Sequence, residues 1–154
     1  MRLSPTWTRR DSLALALCAL MLGYFAAKEY MPRLEGRAFP VVSQAALGDH
    51  ILTPPPAYRS LWEAQATKLR DCEYIGGSLR WYLGPRDGRR VQVVSHFTDP
   101  PQVRGVGVLE WDGLRIDLQP DLVLSNSHAT VRHQCRWRWW QTETVFYDST
   151  EAGE

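Results

Sequence analysis

The stretch HQCRWRWWQTETVFY, residues 133–147, crowds three tryptophans and two arginines into positions 136–140 and then alternates polar and apolar side chains. As an extended strand it puts His133, Cys135, Trp137 and Trp139 on one face and Gln134, Arg136, Arg138 and Trp140 on the other. The first face carries a cysteine and two aromatics, each able to bury ~150–250 Å², so it is the expected core side. On the second face, Arg136 and Arg138 can lie against Trp140 or a neighbouring aromatic in cation–π contact worth ~0.5–2 kcal/mol. The stretch therefore reads mainly as structure. Arg132, Arg136, Arg138 and Trp140 form a candidate binding surface, because Trp and Arg dominate interaction hot spots.

Upstream of this stretch the same grammar recurs. Residues 78–98, SLRWYLG, PRDGRR and VQVVSHFT, read as strand, turn and strand with an Asp-Gly turn signal. Residues 103–120, VRGVGVLEW, DG and LRIDLQP, repeat the pattern. The first half of LWEAQATKLRDCEYIG, residues 61–76, suits helix or strand, and no internal helix stands out elsewhere. Short strands with frequent turns predict an all-β fold, an antiparallel β-sandwich over residues 59–148, followed by a frayed tail at 149–154. The order Cys72, Trp81, Cys135 resembles the Cys…Trp…Cys pattern of immunoglobulin-like domains. That resemblance implies an immunoglobulin-like sandwich with Trp81, Trp137 and Trp139 as core aromatics. Two features depart from the pattern: Trp81 follows the first cysteine by only nine residues, and His133 stands where a tyrosine is usual.

The N-terminal region is of another kind. Arg2, Arg9 and Arg10 precede an uncharged run at residues 12–27, bracketed by Asp11 and Lys28, with Trp7 and Tyr30 placed to sit at the two interfaces. This predicts a short cytoplasmic tail (1–11), a transmembrane signal anchor (12–31) in contact with membrane lipid, and a Pro/Gly-containing tether (32–58) with one edge strand near FPVVSQ. A cleaved signal peptide and a buried hydrophobic helix are the alternatives. Cleavage after Gly23, Ala26 or Ala27 would put Met21, Tyr24 or Phe25 where a small residue is needed, and Leu17 before Cys18 does not suit a lipoprotein signal. Three basic residues before the span balance Lys28, Arg33 and Arg37 after it, so the positive-inside rule leaves orientation to the short tail and the cysteines.

Cys72 and Cys135 are the two cysteines outside the span, with 62 residues between them. Closing that loop as a disulfide is worth ~4 kcal/mol by chain entropy, which favours an oxidising compartment; two buried free thiols are the alternative. The expected address is the inner membrane, single-pass, with the C-terminal domain in the periplasm.

Net charge excludes one class of partner. The chain carries +1 overall, but after Met31 there are fourteen Lys and Arg against fifteen Asp and Glu, a balance of −1, so no general attraction to nucleic acid is expected. Catalytic frames are also missing. His96, His128 and His133 with Asp99, Asp117 and Asp121 are candidates for a Ser/His/Asp set, but no GxSxG or GxGxxG motif frames them. His128 and His133 lie five apart, as do Asp112 and Asp117, so within one strand each pair points to opposite faces. His133 and Cys135 share a face but lack two further ligands for zinc. No enzyme activity, metal or cofactor is expected.

A short Arg-bearing tail, one span and a compact domain containing RDCEYIGGSLRWYLG and HQCRWRWWQTETVFY resemble small single-span envelope proteins of phage and prophage genomes from high-GC Gram-negative bacteria. The resemblance implies a binding or interaction module acting on a protein partner at the host envelope. An envelope-acting hydrolase or lysis-associated factor and a virion structural component are the other readings.

Overall fold

The computed structural model describes residues 9–53, 59–99, 105–135 and 141–151. It consists of one long N-terminal helix and a mostly β part built from two antiparallel sheets.

Helix α1 (Arg9–Ala38) includes one stretch, Ser12–Ala38, long and apolar enough to cross a membrane. Leu13, Leu17, Leu20, Met21, Leu22 and Phe25 are all exposed along it. So much uncovered apolar surface on one helix is what a membrane span or a binding surface presents.

Over its described part, residues 32–53, the tether expected at 32–58 is not what forms; residues 54–58 lie outside the described residues. Pro32 lies inside α1, which runs on to Ala38, and residues 46–53 form β1 (Ala46–Thr53). Pro32 removes the amide that would bond the carbonyl of Lys28.

Sheet A has the order β1, β2 (Arg59–Lys68), β7 (Gly107–Ile116), β6 (Ser95–Phe97). β2 alternates buried and exposed side chains along its length, which decides its ambiguous sequence in favour of strand. The Asp112-Gly113 pair, read as a hairpin turn, is instead a bulge within β7. Trp62 pairs with Leu114 and Ala64 with Trp111, so two β7 residues oppose the single Glu63. Gly113 is required there because its carbonyl accepts both the amide and the hydroxyl of Thr98, and a Cβ would lie 1.9 Å from the Thr98 hydroxyl oxygen.

Sheet B contains β3 (Glu73–Tyr74), β4 (Arg80–Leu83), β5 (Val91–Val93), β8 (Ser127–Gln134) and β9 (Gln141–Asp148). The predicted β4–β5 hairpin forms, but VQVVSHFT does not stay in one sheet: β5 pairs β4, and after Val94 the chain enters sheet A as β6. A six-residue helix, α2 (Pro120–Ser125), not expected from the sequence, joins β7 to β8. β8 and β9 are antiparallel neighbours with Gln134 opposite Gln141, so residues 133–147 are not one continuous strand.

The two sheets share one aromatic core. Across β8, Thr130 faces Val145 and Ala129 faces Tyr147, leaving Phe146 as the extra residue of a bulge. Two successive aromatics are thereby buried. Phe146 meets Phe97 and Trp111 of sheet A edge-on, at 5.7 Å each, while Tyr147 stacks on Trp81 at 5.2 Å. Two buried indoles are satisfied by serines: Trp62 donates to Ser60 and Trp81 to Ser127, which in turn donates to the Val123 carbonyl of α2. Between the sheets, Ser43 bonds Thr67 of β2 and the amide of Ala45 bonds Phe146 of β9, so residues 41–45 stitch sheet A to the outer edge of sheet B.

Cys72 and Cys135 are bonded, with Cα atoms 4.5 Å apart. They extend the β3–β8 pairing by one position, since Glu73 faces Gln134. The bridge therefore joins neighbours within one sheet.

Candidate functional site

The segment after β4 sets one wall of a polar cleft. Gly84 has φ +108°, and a Cβ there would lie 2.5 Å from the Arg89 carbonyl, so only glycine fits. The tight turn through residues 85–90 returns Arg86 and Arg90 over the outer face of sheet B. Beneath them lies His128, fully buried, opposite Tyr82 in register and stacked on it at 5.1 Å. The His128 Nδ1 donates to the Gly84 carbonyl at 3.0 Å, which leaves Nε2 to accept from Arg90 at 3.4 Å. The Arg90 guanidinium also sits 4.5 Å above the Tyr82 ring. Burial lowers the His128 pKa; the Gly84 bond opposes this, Arg90 adds to it, Asp148 opposes it, and Arg86 adds to it last. The imidazole is neutral at pH 7.

Helix α1 supplies the facing wall. Arg33 and Arg37, four residues apart, share one helix face. Gly36, buried between them, lies on the backbone of β9, where a Cβ would be 1.8 Å from the Glu143 carbonyl oxygen. Two further ties hold the helix end: Arg70 pairs with Glu35 at 3.0 Å and donates to the Phe39 carbonyl at 2.9 Å. Glu143 accepts from Arg132 at 2.8 Å and lies 3.7 Å from Arg33.

The resulting cleft of about 150 Å³ is lined by Arg33, Arg37, Arg86, Arg90, His128, Asp87 and Glu143, among others. Four guanidinium charges against two carboxylates leave +2, and Glu143 is itself held by two arginines. Among the described residues no ion pair joins a carboxylate to Arg37, Arg86 or Arg90. The space is roughly ten times what one water needs. Arginine forks aimed into such a space suit the planar or tetrahedral oxygens of a carboxylate or phosphate.

The residues expected from the sequence fall elsewhere. Arg132 is half-buried and committed to Glu143, while Arg136, Trp137, Arg138, Trp139 and Trp140 lie outside the described residues. Trp81 is completely buried. The histidines have separate surroundings. His96 is exposed on β6 opposite Arg115; Asp117 is ion-paired to Arg59 and Arg115; and His133 is in the core. His133 shares a small cavity, about 20 Å³, with Lys68 and Tyr74, and its pKa falls to about 4 through burial and then the Lys68 charge. Among the described residues no group of three or more His, Cys, Asp or Glu is arranged for a metal. The arginine cleft was missed, although PRDGRR carries three arginines in six residues and Arg33 and Arg37 have one-face spacing.

Comparison with protein-family models, curated proteins and solved structures finds no match for this chain.

Proposed function

We propose that the chain is a membrane-anchored binding module. It spans the inner membrane of a Gram-negative cell once, holds an oxidised sheet domain in the periplasm, and uses the arginine cleft to take an anionic group of its partner. The cleft carries this reading: four arginines from two separate elements converge, with a net charge of +2, on a space far larger than a water. The Cys72–Cys135 bond supports an oxidising compartment. The separate surroundings of His96, His128 and His133 support binding over hydrolysis, because a catalytic set needs its base beside a carboxylate and a nucleophile. An origin in a phage or prophage, with action at the host envelope, suits the same architecture.

Native mass spectrometry of the full chain taken from its membrane in neutral detergent tests the binding reading. The expected result is an anionic adduct on the parent protein that is missing from the folded Arg86→Ala/Arg90→Ala variant. No adduct on either protein, or the same adduct on both, would overturn the reading.

A further inference from the structure

The height of the cleft narrows what can enter it. The uncharged run ends at Ala27, and Tyr30, three residues on, is the aromatic read as interfacial. Arg33 is three residues past Tyr30 and Arg37 seven, about 5 and 10 Å of helix rise. A headgroup layer is about 5–8 Å thick on each side of the hydrocarbon. Because α1 continues unbroken through Pro32 and is fixed to β9 at Gly36, the sheet domain cannot lift the cleft away on a loose linker. On this reading Arg33, at one end of the cleft wall, lies at headgroup depth, and Arg37 lies just outside the layer, where it faces the headgroups from the water side.

Resting on the reading of the cleft as an anion site, we infer that its ligand is the phosphate of an anionic phospholipid headgroup from the leaflet facing the sheet domain. A phosphodiester presents two free oxygens to guanidinium forks at this depth. The net charge of +2 favours a headgroup with net negative charge over a zwitterionic one. Arg33 and Arg37 approach from the helix, as interfacial arginines of many spans do. Arg86 and Arg90 approach from the β4–β5 turn, and their presence distinguishes a site from simple charge at the membrane surface. Free phosphate offers the same chemistry from solution, and the experiment separates the two sources.

The full chain in neutral detergent is titrated separately with phosphatidylglycerol, phosphatidylcholine and inorganic phosphate, with bound ligand read by native mass spectrometry. Phosphatidylglycerol is expected to bind at least about tenfold tighter than phosphatidylcholine, a difference of about 1.4 kcal/mol. Arg86→Ala/Arg90→Ala should reduce that preference to less than about twofold. Arg86→Ala alone leaves the Arg90 contacts to His128 and Tyr82 in place and should lose part of the preference, so a folding defect in the double variant does not decide the matter. Equal binding of the two lipids, or a preference indifferent to Arg86, overturns the lipid assignment. Binding of inorganic phosphate without a lipid preference overturns it while the anion site stands. Binding of none of the three defeats both.

Discussion

The backbone carbonyl of Glu143 fills the space in which residue 36 would carry a side chain: a Cβ added to Gly36 would lie 1.8 Å from that oxygen. In an exposed helix, Gly→Ala is favourable by about 1 kcal/mol. Here the helix or β9 has to move, so Gly36→Ala is expected to destabilise by about 1–3 kcal/mol, as overpacking does. The thermal midpoint of the full chain in neutral detergent reads the sign directly. A midpoint that rises would mean the helix end is not seated on β9.

The bulge at Phe146 makes a second prediction. Phe146→Ala removes the ring that Phe97 and Trp111 both contact, and should cost about 3–5 kcal/mol in chemical denaturation. Val145→Ala, one position away and only half-buried, should cost about 1 kcal/mol or less. Equal losses at the two positions would contradict the register of β9.

Alternation and turn signals made the strands legible, because a half-buried strand must alternate and a tight hairpin must carry permissive residues. They did not distinguish Asp87-Gly88, which turns the chain, from Asp112-Gly113, which bulges within β7. The difference lies in Thr98 packing on Gly113, a contact between residues fifteen apart that no local pattern encodes. The apolar helix was likewise readable from its missing charges, but its continuation past Pro32 was not. That continuation depends on β9 and Arg70 receiving the helix end. The cysteine pair was legible by counting, whereas its placement within a single sheet depended on the β3–β8 register. The arginine cleft was hidden for the same reason: its arginines come from sequence positions some fifty residues apart, joined only by the docked helix.

Losing the bridge should be costly. Cys72→Ser/Cys135→Ser opens a loop with a sequence separation of 63 residues, worth about 4 kcal/mol by chain entropy. Urea unfolding of oxidised and reduced parent protein should reproduce the difference, and the double variant should no longer respond to reductant. A parent midpoint unmoved by reductant would contradict the role given to the bond.

His133 predicts a pH dependence of fixed sign. Its folded pKa of about 4 lies below the ordinary value of 6.5, so between those values the unfolded chain binds a proton that the folded chain refuses. Stability is then fully present above pH 6.5 and falls as pH drops toward 4, by up to about 3 kcal/mol from this residue. Unfolding free energies of the parent and of His133→Leu, compared from pH 7 to 4, isolate this contribution from the carboxylates. The variant should have the shallower slope; identical slopes would place His133 in water.

The docked helix end, on which the cleft and its height depend, is most directly tested by amide hydrogen exchange of residues 31–38 in the full chain reconstituted in nanodiscs. These amides are expected to exchange slowly, on the timescale of β9, and to speed up selectively when Gly36→Leu pushes the helix off the sheet. Exchange at the rate of an unstructured linker in the parent protein would mean that the span and the sheet domain are joined by a loose tether and that the cleft does not form.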